Sequence, residues 1–544
     1  MTLLSSVAPV DDTPIDVHLA RSNLSAVDVF AKRHQADLEP LQARYYQELI
    51  PVGPPKAGQQ LGFEVDLDAC TGCKACVAAC HSLNGLDDGE SWRTVSLLRS
   101  RDASGQPFQQ TVTAGCHHCV DPACLSGCPV DAYEKDPVTG IVTHLDDQCI
   151  GCSYCTLTCP YEVPRFNHRQ GIVRKCDMCR GRLAAGEAPA CVQACPNEAI
   201  RISIVDVATA IAGGAAGGRL VPGAPPSSIT SPTTVYRSAS GRIAEQPASA
   251  GTPAGPAHGH PPLAVMLVLT QLSVGAFVLG MILRSSGPLA GGPRAQLSAA
   301  VAVGSGVLAL AASVFHLGRP RYAYRAVIGF RHSWLSREVV AFGAFTALAA
   351  AYAGGVAWGR PFVASAVLDA VGWLAAASGM TGLACSVLIY STTHRSSWPT
   401  RAVAAKFGLT AAMCGAVAVA WVDVLGGSVV TARSLLLTVA GLTTAKLAGE
   451  VSVLRHRRRT SDTEADGWRR ARLLTGELRA TAARRLILAV VGGIGLPVLC
   501  VTIIGHNGRG GALAVAMATA ALVCTVAGEL LERLLFFTTA SAPR

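Results

Sequence analysis

The sequence predicts a chain in two parts: an α+β region organised by cysteine, then an all-α bundle of eight helices that cross a membrane. Three observations predict it. Sixteen of the twenty cysteines lie between Cys70 and Cys195, in four groups of four. Eight apolar segments follow residue 260, each near the ~20 residues that span a bilayer. Between the two parts lies a stretch rich in Gly, Pro, Ala, Ser and Thr.

The groups are Cys70, Cys73, Cys76, Cys80; Cys116, Cys119, Cys124, Cys128; Cys149, Cys152, Cys155, Cys159; and Cys176, Cys179, Cys191, Cys195. The first and third read C-x2-C-x2-C-x3-C. The other two stretch one gap but keep the closing C-x3-C, followed by Pro129 and Pro196. This is the run that holds [4Fe–4S] clusters in bacterial ferredoxins. A cubane needs four thiolates pointing inward from four corners. Three come from one tight loop, and the last Cys of each run ligates the other cluster of a pair. The proline after that Cys stops the helix and turns the chain away. Four groups imply four clusters and a path for electrons, in a duplicated ferredoxin-like module.

Disulfides would require an oxidising compartment and usually a small secreted domain. Zinc ribbons use paired C-x2-C motifs but do not explain four runs that each end in C-x3-C. The remaining Cys385, Cys414, Cys500 and Cys524 sit in apolar stretches and read as packed small hydrophobes.

Along the chain, residues 1–60 form an extension with a short helix expected at Ser25–His34, capped by Ser25. Residues 61–207 form the four-cluster domain. Its expected strands are Phe63–Val65, Ile141–Thr143 and Ile200–Ile204. Residues 208–260 read as a flexible linker, too poor in apolar surface to offset their ordering entropy. Residues 261–540 form the membrane part, with spans expected at 262–283, 296–316, 338–357, 364–390, 402–422, 430–454, 486–505 and 511–531. Eight helices this apolar would have nothing to present to water in a soluble domain.

The net charge of +10 is not a nucleic-acid signal, because the excess arginine lies in loops between apolar segments. The loops on the side shared with the cysteine domain carry eighteen Lys and Arg, and the opposite loops carry five. By the positive-inside rule the cluster domain faces the cytoplasm, unless some of these arginines dock that domain instead. Residues 1–20 hold no apolar core region and no twin arginine, so no export signal is expected.

Ionisable residues near the inner span ends are Glu338, Lys446, Glu450, Glu529, Glu532 and His316. Glu532 and Lys446 read as interfacial side chains snorkelling to headgroups. His316 and Glu338 bracket one short loop on the cluster side and read as a quinone site, which needs a hydrogen-bond donor and a proton route. The histidines near spans (His316, His394, His506) all lie at edges, so no haem is expected.

Residues 61–207 resemble the four-cluster electron-transfer subunit of the dimethyl sulfoxide reductase family. Residues 262–540 resemble that family's eight-helix, haem-free anchor. The anchor resemblance rests on His316-Leu317-Gly318-Arg319-Pro320 and Ser336-Arg337-Glu338. The two are usually separate chains and are fused here. The resemblance implies sulfur pairings: Cys70, Cys73, Cys76 with Cys195; Cys176, Cys179, Cys191 with Cys80; Cys116, Cys119, Cys124 with Cys159; and Cys149, Cys152, Cys155 with Cys128. In nitrate reductase relatives a Trp stands at the position of Cys152, so here all four clusters should be cubanes. It also implies a separate catalytic subunit carrying molybdenum bis-pterin, with the substrate site there and the quinone site on this chain. Dimethyl sulfoxide reductase works outside the cytoplasmic membrane. An inward-facing cluster domain therefore favours sulfite oxidation to quinone over quinol-driven reduction of dimethyl sulfoxide, another S- or N-oxide, or an oxyanion. A cluster-bearing transporter would need broken helices or inverted repeats at mid-membrane, which the sequence does not show. A structural scaffold would not need four clusters in series.

Overall fold

A computed structural model describes residues 43–101, 105–247, 255–287, 292–358, 364–452, 465–507 and 511–540. The helix expected at Ser25–His34 lies outside them. The cysteine domain is built on small sheets. Strand β1 (Gln59–Asp66) and strand β8 (Ile200–Asp206), from opposite ends of the domain, pair antiparallel with Phe63 opposite Ile202. This closes the domain on itself: Phe63, Ile200 and Ile202 are buried around the outer cysteines. Two hairpins lie inside it, β4 (Tyr133–Lys135) with β5 (Val142–His144), and β6 (Arg165–Asn167) with β7 (Ile172–Arg174). The expected strands are all present.

Two features were not anticipated. A longer hairpin, β2 (Thr94–Arg101) with β3 (Pro107–Ala114), is inserted between the first and second cysteine groups. The presumed linker also folds back over much of its length. Residues 207–215 are helical, capped by Asp206, whose carboxylate accepts the Thr209 N–H at 2.7 Å. Strand β9 (Val235–Arg237) then adds parallel to β1, and β10 (Gln246–Pro247) adds to β2. Residues 208–247 are therefore a strap on the cluster domain. Polar side chains hold what apolar composition cannot. Asp68 accepts from Ser238 Oγ at 2.9 Å, Ser240 N at 3.1 Å and Gln110 Nε2 at 2.7 Å. The Ser240 N–H is the main cause holding this exposed carboxyl below its ordinary range. Gly62 lets the strap approach, since a Cβ there would meet the Thr233 carbonyl oxygen at 2.4 Å.

Among the described residues eight helices are long and apolar enough to cross a membrane: Pro261–Ser285, Pro293–Val314, Trp334–Trp358, Ser365–Ser391, Thr400–Leu425, Val429–Ser452, Arg479–Ile504 and Ala512–Thr538. The first and fifth are the most enclosed, with 61% and 72% of their apolar windows buried. They cross through glycines. A Cβ on Gly275 would lie 1.9 Å from the Ala411 carbonyl, and one on Gly415 would meet the Gly275 backbone. Small residues permit such approach where no hydrophobic drive exists between helices in lipid. The seventh span contains a π-turn at Val491–Gly495, where Gly492 packs on the Cys524–Thr525 backbone and Gly493 on Thr443. Cys385, Cys414 and Cys500 are buried in the bundle.

Asp68→Ala should free the strap without disturbing the β1–β8 closure. Limited proteolysis of the folded protein would then cut within residues 238–247 faster than in the wild type. Equal rates would show that Asp68 does not hold it.

Candidate functional site

The cysteine loops repeat one backbone pattern. Gly72 and Gly151 are left-handed (φ 73° and 70°) between the first two cysteines of their groups, and Lys74 and Ser153 follow suit after the second. Asp131, Glu162 and Glu198 each stand three residues past a closing cysteine, at φ 53°, 53° and 51°. These turns direct amide N–H groups at sulfur. Gly151 N donates to Cys149 Sγ at 3.4 Å, Met178 N to Cys176 at 3.4 Å, Ala132 N to Cys128 at 3.3 Å and Ala199 N to Cys195 at 3.3 Å. Such bonds stabilise electron-rich sulfur and set cluster potentials. The first closing cysteine differs: Cys80 lies inside a helix that continues to Leu83.

The sulfurs gather into four sets across the sequence. Cys70 lies within electrostatic reach of Cys73, Cys76 and Cys195. Cys80 neighbours Cys191 and Cys179, and Cys176 neighbours Cys80 and Cys191 while also lying within reach of Cys116 in the next set. Cys119 neighbours Cys116, Cys124 and Cys159, and Cys155 neighbours Cys128, Cys149 and Cys152. Burial and mutual repulsion push most of these thiols up, Cys80 to about 12. Ionised together they need compensating positive charge, which iron supplies. Among the described residues no three such side chains converge closely enough to hold a single ion. Zinc requires that convergence, with each sulfur at ~2.3 Å. A cubane, with an iron at each of four corners, takes four thiolates, and each of these sets supplies four.

Three buried polar side chains mark the junctions and put the sets in order. Arg93 is within reach of Cys76, Cys176 and Cys191; Lys175 of Cys116, Cys124 and Cys176; Tyr133 of Cys124, Cys128 and Cys155. The order is therefore the Cys70 set, the Cys176 set, the Cys116 set and the Cys149 set. Beside this line, burial and then the Arg93 charge press His117 down to about 3, so the ring stays neutral. Its neighbour His118, also held low by burial, accepts the Val142 N–H on Nδ1 at 3.0 Å.

The Cys149 set sits against the membrane bundle. Arg319 N donates to the Ile150 carbonyl at 3.0 Å and Gly318 N to that of Gly151 at 3.2 Å. A Cβ on Gly318 would fall 2.1 Å from the Gly171 carbonyl oxygen, and one on Gly151 2.3 Å from the same atom. On the other flank, Ser333 Oγ donates to the Gly127 carbonyl at 2.7 Å, Ser336 Oγ to Pro129 at 3.2 Å, and Gly329 N to Pro129 at 2.9 Å. Tyr154 OH reaches the Ile389 carbonyl of the fourth span at 2.9 Å. Cys152 and Tyr154 belong to an apolar cluster that also holds Trp398, Phe407 and Phe536, so bundle and cluster domain share one apolar core.

Residues 257–539 match the family of the DMSO reductase anchor subunit (DmsC), and residues 108–204 match the 4Fe-4S dicluster domain. This chain therefore belongs to the dimethyl sulfoxide reductase anchor family. An iron–sulfur domain is fused ahead of the anchor. That domain is similar to the B subunit of anaerobic dimethyl sulfoxide reductase from Haemophilus influenzae, 33% identical over 187 residues, covering 33% of this chain and 89% of that protein. The Escherichia coli (strain K12) protein of that name is 38% identical over 154 residues, 27% of this chain and 75% of its own length. The thiosulfate reductase electron transfer subunit PhsB of Salmonella typhi is 39% identical over 143 residues, 26% and 74% respectively.

Within this fused anchor, Glu338 is buried in the third span and takes a short hydrogen bond from Ser386 Oγ of the fourth. It lies within electrostatic reach of Tyr154; burial first, then the charges of Glu338 and Cys152, raise that phenol above its ordinary range. His316, half-buried just past the second span, contacts the Ser313 carbonyl through Nδ1 and faces His260 at the start of the first span. No direct contact joins His316 and Glu338 among the described residues; what they share is the underside of the Cys149 set.

Lys446 and Glu532 do not snorkel. Each is 3% exposed. Lys446 contacts the Glu529 carboxylate and donates to Thr410 Oγ1 at 2.6 Å. Arg485 donates to Glu529 at 2.8 Å and to Glu450 at 3.1 Å, and Lys406 to Glu532 at 2.6 Å. Arg533 donates to Gln271 at 3.0 Å and lies over the Phe407 ring at 4.2 Å. Charges from four spans neutralise one another, and this removes the need to reach water that an isolated ion would have. Several basic residues are likewise engaged with the cluster domain. Arg319 donates to Asp146 O at 2.6 Å, Arg325 to Asp147 O at 2.9 Å and Arg395 to Thr156 O at 3.3 Å.

Gly318→Ala should cost about 1–3 kcal/mol, the usual price of forcing atoms into a packed contact, read as a lower melting temperature of the full chain. Gly343→Ala, where nothing lies within 4 Å of a Cβ, is the control and should not lower it. An unchanged Gly318→Ala variant would show that the backbone contact is not required.

Proposed function

We propose that this chain passes electrons between a separate molybdopterin catalytic subunit and membrane quinone, through four [4Fe–4S] clusters. The clusters would be held by Cys70/Cys73/Cys76/Cys195, Cys176/Cys179/Cys191/Cys80, Cys116/Cys119/Cys124/Cys159 and Cys149/Cys152/Cys155/Cys128. When bound, they supply one-electron steps that the protein side chains cannot. The single observation that carries the reading is the seating of the Cys149 set directly on the membrane bundle, between the loop of Leu317–Arg319 and the start of the third span.

At that seat Glu338 and His316 serve the quinone. Glu338, enclosed and held by Ser386, exchanges protons with a quinone oxygen. His316 presents its second nitrogen from the lower edge of the loop. Both lie on the face of the bundle that carries the Cys149 set, so no haem is needed between cluster and quinone.

The cluster domain faces the cytoplasm in this reading. Arg319, Arg325 and Arg395 dock that domain, and Lys406 and Arg485 are paired within the ion network. The thirteen remaining basic residues of that side still outnumber the five opposite. This orientation favours sulfite oxidised inside the cell, with electrons delivered to quinone. The alternative is quinol-driven reduction of dimethyl sulfoxide or another S- or N-oxide or oxyanion. It is supported by the names of the relatives, dimethyl sulfoxide and thiosulfate reductase subunits.

In membranes holding the full complex, Glu338→Gln should slow quinone-linked turnover by roughly two orders of magnitude, the usual worth of a positioned proton-transfer group. Dye-linked activity of the catalytic partner should survive. Loss of neither activity would remove Glu338 from the quinone site. Sulfite-dependent quinone reduction in the same membranes supports the favoured direction, and dimethyl sulfoxide-dependent quinol oxidation alone would overturn it.

A further inference from the structure

A second feature of the bundle lies outside the quinone reading and does not rest on it. A cavity of about 260 Å³ opens among the sixth, seventh and eighth spans beneath the short helix Ala465–Thr475. One wall is charged: Lys406, Arg470, Arg479, Arg485, Glu450 and Glu532. Lys406 is taken by Glu532, and Arg485 by Glu450 and Glu529. Arg470 and Arg479 form no ion pair among the described residues, so the wall carries two unbalanced positive charges. Arg470 Nε and Arg485 Nε are buried without a hydrogen-bond partner, and Glu532 Oε2 accepts none either, although Arg533 Nη1 lies 3.7 Å from it. The Arg485 and Glu532 side chains are each only 3% exposed. Buried polar atoms left unmatched cost free energy unless a ligand meets them.

The remaining wall is apolar, lined by Leu447, Leu474, Leu486 and Leu535. A ligand suited to both walls has an anionic head and a hydrocarbon body. The helix above marks the depth. It turns Ala471 and Leu473 inward, and Arg472 lies over the ring of the part-exposed Trp468 at 5.4 Å. Basic and aromatic residues on one short amphipathic helix are the mark of the headgroup layer. Arg469 ties this helix to the end of the eighth span through the Ala540 carbonyl at 3.3 Å, which puts the cavity on the cluster-domain side.

We propose that this cavity binds an anionic phospholipid whose head group also carries a hydroxyl, of the phosphatidylglycerol type. The phosphodiester accepts from Arg470, Arg479 and the free Nε of Arg485, the head hydroxyl donates to Glu532 Oε2, and an acyl chain runs along the leucines. A quinone offers no charge to the two arginines, and a soluble anion makes no use of the apolar wall. Basic pockets between membrane helices take such heads.

The test uses the full chain, purified in detergent and stripped of loosely held lipid. Native mass spectrometry should show one phosphatidylglycerol retained per chain, and none retained overturns the proposal. Added phosphatidylglycerol should raise the melting temperature of stripped protein, while phosphatidylcholine of the same chains and inorganic phosphate should not. An equal rise with phosphatidylcholine, with phosphate alone or with a quinone analogue overturns it. The double variant R470Q/R479Q removes no ion pair of the network. It should keep the wild-type melting temperature without lipid and bind phosphatidylglycerol at least tenfold more weakly; unchanged affinity overturns it.

Discussion

The rest of the structure depends on one close approach, the backbone contact of Gly151 and Gly171 in the cluster domain with Gly318 after the second span. Three glycines let two carbonyl-bearing loops meet with no side chain between them. The loop wrapped by Cys149, Cys152 and Cys155 thereby comes down onto the bundle. Around the contact, backbone and serine donors satisfy carbonyls that would otherwise be buried unmet. A bulkier residue at any of the three positions would interpose a layer of atoms between the last sulfur set and the membrane. Electron transfer between domains asks for proximity held rigidly, and polar matching at a glycine contact provides both.

Charge is managed by the same means in both halves. In the cluster domain Arg93 and Lys175 sit at the junctions where thiolates from neighbouring sets crowd together, offsetting repulsion that burial would otherwise magnify. In the bundle, Glu529 and Glu532 are met by Lys446, Arg485, Lys406 and Arg533. Removing one member of such a set leaves its partner uncompensated, which is why the members act as a unit. Glu338 stands apart from that network, with a serine as its hydrogen-bond partner and no cation paired to it among the described residues.

The cysteine spacing made the four runs legible, because ligand geometry dictates sequence separation, while the exchange of closing cysteines between runs came from the family resemblance. The β1–β8 pairing was legible from two apolar runs, Phe63–Val65 and Ile200–Ile204. The spans were legible from length and hydropathy, although helical turns continue at several ends beyond the expected bounds, as at Trp334–Arg337 and Arg533–Thr538. The strap over residues 208–247 was not, because its order comes from hydrogen bonds to a distant Asp68 and from a place beside β1, neither of which leaves a local pattern. The ion network was missed for the same reason. Lys446 and Glu529 are 83 positions apart, and each alone resembles a residue reaching for headgroups. Arg93 and Lys175 carried no signal beyond being single basic residues near cysteines. The loop arginines show the converse: Arg319, Arg325 and Arg395 counted toward topology while also serving as docking contacts.

The central claim is that the cluster of Cys128, Cys149, Cys152 and Cys155 is the one that meets quinone. The most direct measurement is electron paramagnetic resonance of the reduced full chain with and without a tight quinone analogue. Cys152→Ser identifies which signal belongs to that set. The account predicts that the analogue perturbs this signal and leaves the signals of the other sets as they were. A perturbation confined to the Cys70 or Cys176 set, at the far end of the line, would contradict it.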